Sequence, residues 1–417
     1  MSALDEITRV FFRIGCLSFG GPAAQIALMH KEIIDDRKWL DEPDYLRALS
    51  FCMLLPGPEA MQLATYIGWR RSGVAGGLIA GGLFVLPGAL VVLALSMVYA
   101  AFGQVPVVEA LFFGVQAAVL AIVLHALQRV AKKALQARWH WLLAAAAFAA
   151  LALFAVPFPV VIVTAAIVGW IMARGAPVPA AAPLPTGAIA FALRQTATWG
   201  AVWLIPLAAL YLADGGLLWD IGLFFSKLAV VTFGGAYAVL AWMTQEVVQT
   251  RGWLTTEEMI AGLGLAETTP GPLILVNAFV GYLAAFKAGG VGYGIAGAAI
   301  AVWMTFAPCF LWIFAGAPFV ERLAGRPRLS AALAGITAAV VGVIANLSLW
   351  FALHVLFADL GTWQAGPLRV TLPDVTSLDW KALILALGAG YLILWRHMDL
   401  ILVLALSAAA AVALSAV

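Results

Sequence analysis

Two Pro-Gly-Pro triplets, Pro56-Gly57-Pro58 and Pro270-Gly271-Pro272, stand inside apolar runs of the chain, each with a carboxylate nearby. Glu59 follows the first triplet directly, and Glu267 lies three residues before the second. Gly20-Gly21-Pro22 and Gly234-Gly235 interrupt two other apolar runs. A Pro/Gly break ends one helix and starts another, and the new helix aims unpaired N–H groups and the positive end of its dipole into the gap. Such ends bind anions. Ser18, Thr232, Thr268 and Thr269 can add hydroxyl donors, and Gln62 and Asn277 follow the triplets by about one turn. Four breaks brought together would surround an oxyanion with donors. The alternative reading is four sets of packing glycines and proline kinks, which are common in membrane helices.

The charges near these breaks suggest further roles. Arg13 and Lys227 occupy equivalent places in two apolar runs, where a cation is a candidate partner for a bound anion; snorkelling to the headgroups is the simpler alternative. An ionised Glu59 or Glu267 would repel an anion, so the two carboxylates are candidates for proton coupling; Glu59 could equally stabilise its helix N-terminus. Glu32, Arg37 and Trp39, and likewise Glu246, Arg251 and Trp253, follow the glycine breaks. They read as interfacial anchors of a structural kind, with gating as the other option.

The elements that must position these groups are membrane helices. The chain of 417 residues is 64% hydrophobic and 11% charged, with a mean hydropathy of +1.01; soluble domains carry about 25% charge. Apolar runs predict spans at 11–29, 46–69, 75–101, 107–127, 141–156 and 158–173, then 191–213, then 221–243, 259–283, 289–316, 329–358, 380–395 and 399–416. The expected fold is therefore an all-α polytopic membrane protein of about thirteen membrane segments. The Pro- and Ala-rich stretch 175–185 reads as a linker.

A shift of 214 residues lays Phe19-Gly20-Gly21 on Phe233-Gly234-Gly235, and Glu32, Arg37 and Trp39 on Glu246, Arg251 and Trp253. The same shift superposes the two Pro-Gly-Pro triplets. One register shared by separated motifs indicates duplication, with a first repeat at 1–173, a linker carrying an extra span at 174–216, and a second repeat at 217–417. Basic residues mark cytoplasmic loops. Arg70-Arg71, Arg129, Lys132, Lys133 and Arg138 belong inside, as do Arg174, Arg194, Arg322, Arg326 and Arg328; 103–106 and 359–379 belong outside. The odd span 191–213 then gives the second repeat the opposite orientation. Interrupted helices at matching places in inverted repeats point to a transport site near the bilayer midplane. The breaks are either mid-helix interruptions or the tips of re-entrant hairpins, and the latter puts the 30–44 loop on the cytoplasmic side.

Other chemistries find little support. The net charge of +2 is scattered, giving no basic tract for nucleic acid. Cys16, Cys52 and Cys309 are far apart in apolar runs, and no histidine pair has metal-ligand spacing. No phosphate-binding GxxxxGK[ST] loop and no GxSxG elbow is present. Neither a cofactor nor enzymatic activity is expected.

The segment Phe19-Gly20-Gly21-Pro22, the run 55–64 (LPGPEAMQLA), Thr232-Phe233-Gly234-Gly235 and Thr269-Pro270-Gly271-Pro272 resemble the chromate ion transporter family in its long-chain, two-domain form. The resemblance covers nearly the whole chain. It implies a secondary transporter in the bacterial inner membrane that exports chromate and confers chromate resistance. Sulfate or another oxyanion is the alternative cargo, and an anion channel the alternative mechanism; a homodimer stays open. Leu273 stands where the mate of Glu59 would be, so the carboxylates are not symmetric.

Overall fold

The computed structural model describes residues 2–19, 21–103, 105–175, 184, 186–213, 215–233, 236–320 and 326–415. Gly20, Gly234, Gly235, Arg322 and most of the expected linker lie outside the described residues. Helices dominate: α1 (Ala3–Leu17), α2 (Gly21–His30), α3 (Glu42–Leu54), α4 (Glu59–Phe102), α5 (Pro106–Ala134), α6 (Arg138–Phe154), α7 (Phe158–Met172) and α8 (Ala188–Leu212). They continue with α9 (Leu217–Val231), α10 (Ala236–Thr244), α11 (Thr256–Thr268), α12 (Val276–Gly316), α13 (Pro327–Leu356), α14 (Trp380–Leu394) and α15 (Leu400–Ser415). Among the described residues, four helical stretches are long and apolar enough to cross a bilayer: Glu59–Phe102, Pro106–Ala134, Leu273–Phe319 and Pro327–Leu356. Shorter apolar helices accompany them, as an all-α polytopic membrane protein requires.

The chain forms two compact units, and each draws on both sequence repeats. One comprises Met1–Met97, Pro177–Val239 and Thr269–Pro327; the other comprises Val98–Ala176, Leu240–Thr268 and Arg328–Val417. In the first unit α12 packs on α8 and α9, with Trp199 against Phe310 and Phe314. In the second, α5 packs on α14 and α15 around Ala118, Ile122, Ala389 and Val403. Small residues allow the close approaches there. A Cβ added to Gly169 would meet Ala331 O at 2.1 Å, and one on Gly342 would meet Ala144 O at 2.1 Å.

Within the first unit, α4 turns back on itself at Ser72 and Gly73, where Gly73 takes φ +63°. Its two arms meet at Gly68 and Gly76: a Cβ on either would lie 2.2–2.3 Å from the other's carbonyl oxygen. Helix α12 repeats the device, turning at Gly290 (φ +74°) with Gly281 and Gly297 in mutual contact. The turns fall at or next to the predicted gaps after 69 and 283. Gly76→Val should therefore drive the arms apart and abolish accumulation of the protein in membranes, read by immunoblot. Gly82→Val, on the same arm with open space around its Cβ, should accumulate normally.

The fold back of α1 on α2 answers a question the sequence leaves open. A straight interrupted helix would separate residues 13 and 32 by about 28 Å. Instead Arg13 Nε lies 3.5 Å from Glu32 Oε1, and the Phe11 and Trp39 ring centroids are 6.5 Å apart. Likewise Phe51 on α3 and Tyr66 on α4, about 22 Å apart in a straight helix, have ring centroids 6.3 Å apart. The breaks of the first repeat are thus the tips of helical hairpins. The segment 359–379, read from sequence as a loop, contains a two-stranded antiparallel hairpin, β1 (Leu360–Ala365) and β2 (Leu368–Pro373), turning at Gly366. Its alternation of Thr362 and Gln364 with Trp363, and of Arg369 and Thr371 with Val370, is the period-two pattern of a strand.

Candidate anion-binding site

The repeat is written into the backbone of the first unit. Gly57 N–H donates to Thr232 O at 2.8 Å, and Gly271 N–H donates to Ser18 O at 2.8 Å. The 214-residue shift converts each bond into the other, and a mutual exchange of identical contacts is what a two-fold relation produces. Packing around the triplets follows the same rule. Gly57 abuts Cys309 on the returning arm of α12, and Gly271 abuts Gly88 on the returning arm of α4. The triplet glycines have φ +117° and φ +96°, a region other residues enter only at a cost.

Around these bonds, a pocket is lined by Pro22, Gln25, Pro58, Glu59, Ala60, Thr232, Ala236, Pro272, Leu273 and Ile274. Pro22 opens α2, Glu59 and Ala60 open α4, Ala236 opens α10, and Leu273 and Ile274 form the short helical turn that leads into α12. Four helix starts converge. The first-turn N–H groups of a helix have no partner within it, so the pocket sits where four positive dipole ends meet. Its volume of about 10 Å³ suits about one water and not a tetrahedral oxyanion; the walls must part to admit one.

The side chains divide between wall and brace. Pro58 and Pro272, with Thr232, line the pocket, whereas Pro56 and Pro270 are not among its lining residues. The hydroxyls expected as ligands are committed to the helices: Ser18 donates to Ile14 O (2.6 Å), Thr232 to Leu228 O (2.5 Å) and Thr268 to Leu265 O (2.8 Å). Thr269 is buried, and Gly21 holds φ +79° at the first tip. Gln62 donates to Pro56 O at 2.6 Å, and Asn277 donates to Thr305 Oγ1 at 2.6 Å and Ala301 O at 3.2 Å. Gln62 therefore braces the first triplet, and Asn277 ties the two arms of α12 together. Sequence reasoning passed over Gln25, which is buried and donates to Gly271 O at 2.7 Å and Ser18 O at 3.4 Å. It ties the two breaks together from the pocket wall. Its repeat mate is Val239, so the tie has no counterpart by residue type.

The expected cations take other places. Arg13 is exposed and pairs with Glu32, and Lys227 lies on an exposed face of α9; neither lines the pocket. Glu59 lines it, whereas Glu267 is buried in α11, within the second unit. The anchor motifs also match, each within its own unit. A π-helical turn at Lys31–Asp35 has its counterpart at Gln245–Thr250. Trp39 N–H donates to Ile33 O and Trp253 N–H to Val247 O, both at 2.9 Å. Arg37 bonds the Glu32 carboxylate, and Arg251 pairs with Glu246 at 3.3 Å. Arg71 lies over Trp39 at 4.6 Å, and Arg251 over Trp253 at 4.8 Å. Arg71 also hydrogen-bonds Glu6, and this bond holds the Glu6 carboxyl below its ordinary range.

Comparison with known proteins now decides the family. A chromate transporter family model matches twice, over residues 6–170 and 219–413. The chain belongs to the chromate transporter family. These are membrane transporters and not enzymes, so the protein is a multi-pass membrane transporter. This chromate transporter family member is 31% identical to the chromate transport protein of Cupriavidus metallidurans over 82% of the chain and 80% of that relative. It is 31% identical to the chromate transport protein of Pseudomonas aeruginosa over 95% of the chain and 89% of the relative. A probable chromate transport protein of Synechococcus elongatus is also 31% identical, over 82% and 83%. No solved structure matches.

Proposed function

We propose that the protein is a secondary transporter of chromate, and that the cargo binds where the four helix starts meet. The observation that carries this reading is the pocket bounded by the starts of α2, α4, α10 and α12, with reciprocal backbone bonds behind it. Backbone N–H groups and dipole ends supply the attraction, and water is excluded by Pro22, Pro58, Pro272, Leu273 and Ile274. The names of the relatives supply the ion. Transport in the outward direction fits the electrical gradient: a divalent anion leaving a cell at 100 mV, inside negative, gains about 4.6 kcal/mol. Export of this kind would confer chromate resistance in the inner membrane of a bacterium.

The arms α1 and α2 each reach about 22 Å with the π-helical turn counted, short of the roughly 30 Å hydrocarbon core. We read the four breaks as tips of re-entrant hairpins, two per repeat, which enter and leave on the same face. Replacing four crossings by four hairpins leaves about nine full crossings and keeps the parity of the loops. The repeats at 1–173 and 217–417 therefore stay inverted, with 174–216 joining them. Single cysteines at Asp36 and Thr250 should be labelled from opposite sides of the membrane; labelling from the same side would refute the inversion.

The test of function is flux. Purified protein in liposomes should carry labelled chromate saturably, faster when the trans side is positive. Sulfate competition measures selectivity among oxyanions, and non-saturable flux would instead indicate a channel. Glu59 makes a further prediction. Protonation removes the negative charge from the pocket wall, so wild-type flux should rise as pH falls. Glu59→Gln should be active with a flat pH profile across the neutral range. An unchanged profile in the variant would place Glu59 outside the coupling step.

A further inference from the structure

The second compact unit holds a cleft of about 450 Å³ that the central pocket does not use. Its floor and walls come from α6 and α7's junction at Ala155, the π-helical turn after α10, the end of α13 and one face of the β-hairpin. Its polar lining is rich: Thr244, Gln245, Gln249, Asn346, His354, Thr362, Arg369 and Thr371 contribute, and none of the described lining residues is an Asp or Glu. Thr244 is 3% exposed, and its hydroxyl has no hydrogen-bond partner among the described residues. A buried hydroxyl without a partner is costly, a cost that a ligand in the cleft would offset.

The charge pattern indicates the sign of that ligand. Register places Arg369 and Thr371 on the same side of β2, with Thr362 across from Thr371. The guanidinium and hydroxyls thus share a face toward the cleft. Two of the three acids of the same segment are turned to other work. Asp374 accepts from the backbone and hydroxyl of Thr376, which hold its carboxyl below the ordinary range, and Asp379 accepts from Lys381 N–H and Ala382 N–H. The equivalent stretch of the first repeat is charged: His30, Lys31 and Asp35 stand where Thr244, Gln245 and Gln249 stand here, and His30 contacts Asp35 and Glu42. At these positions the second repeat has a hydroxyl and two amides in place of charged groups.

We propose that this cleft is a second oxyanion site, separate from the transport pocket, that takes a small tetrahedral anion such as sulfate or chromate. Arg369 provides the planar donor fork suited to a tetrahedral oxyanion, and Thr244, Asn346 and the two glutamines provide neutral donors deeper in. The volume leaves room for a partly hydrated ion. Lipid phosphate shares this chemistry, and the experiment separates the two sources.

The probe is a cysteine at the exposed Thr362, introduced into the full-length Cys16→Ser protein in phospholipid-free detergent. Its reaction with an anionic thiol reagent is timed with and without sulfate at constant ionic strength set by chloride. Sulfate should slow labelling at least about threefold, and Arg369→Gln should remove that protection while Arg369→Lys retains part of it. Thr244→Val should weaken it, raising the sulfate concentration needed by about three- to tenfold. Equal rates with and without sulfate in the Arg369 protein would overturn the proposal. Protection by phosphatidylglycerol but not by sulfate would assign the cleft to a lipid headgroup and overturn it equally. Neither readout involves transport, so the cleft can fail while the central pocket stands, and the reverse.

Discussion

Replacing Gly57 by alanine should cut chromate flux by about tenfold or more, and removing the Cys309 thiol should restore part of it. The glycine holds φ +117°, and an added Cβ would lie 2.8 Å from both Cys309 Sγ and Gln62 Nε2. Backbone strain of this kind costs about 1–3 kcal/mol, and each 1.4 kcal/mol or so on the transport barrier is about tenfold in rate. The strained peptide also carries the N–H that bonds Thr232 O, so relaxing φ breaks the link between breaks. Cys309→Ala clears the stiffer of the two obstacles, leaving only the flexible Gln62 amide to move. The repeat doubles the prediction. Gly271→Ala, at φ +96° with a Cβ 2.8 Å from Leu275 Cδ1, should fail in the same way, and Leu275→Ala should relieve it. Proteoliposome flux, normalised to folded protein, reads all four. Wild-type flux in both glycine variants would show that the triplets are plain kinks.

The second large effect belongs to Gln25. Gln25→Met keeps the length and the apolar contacts but removes the donor to Gly271 O and Ser18 O. Ser18 O keeps the Gly271 N–H, whereas the buried Gly271 O loses the amide donor of Gln25. That costs about 1–3 kcal/mol. A lower melting temperature in detergent should accompany a fall in flux of about tenfold. Val239→Gln, at the repeat mate, should not rescue it, because the tie is specific to one side of the two-fold relation.

The sequence carried the break positions because glycine and proline leave few other conformations: Gly21, Gly57 and Gly271 all adopt positive φ. It carried the duplication because Glu32, Arg37 and Trp39 recur in one register with Glu246, Arg251 and Trp253. The caps repeat as well: Asp41 accepts from Asp44 N–H at 2.8 Å, and its mate Thr255 accepts from Glu258 N–H at 3.2 Å. Direction was not legible. Hydropathy reports which residues leave water and says nothing of whether the chain continues or doubles back after Ser18 or Leu55. Only pairs distant in sequence, Arg13 with Glu32 and Phe51 with Tyr66, reveal the hairpins.

The chemistry was legible in kind but not in its atoms. Ser18, Thr232 and Thr268 were plausible hydroxyl donors, yet in a helix such hydroxyls turn to the carbonyl one turn back, as these do. Arg13 and Lys227 stood at repeat-matched positions, but the first is held by Glu32 and the second is exposed. What remains at the pocket, besides Glu59 and Gln25 on its wall, is backbone, which no residue type announces. Gln25 escaped because its place in the apolar run after Pro22 gives no sign that its amide reaches Gly271 O, 246 residues away in sequence. The β-hairpin escaped because its strands of six residues were short, polar and enclosed by apolar helices.

The most direct measurement is an anomalous-scattering map of the protein crystallised with selenate, a divalent tetrahedral oxyanion whose heavy atom marks its own position. A peak is predicted among Pro58, Glu59 and Ala60 on one side and Pro272, Leu273 and Ile274 on the other, with the pocket wider than its unliganded form. Selenate that is transported by the protein yet leaves this pocket empty at saturation would contradict the account.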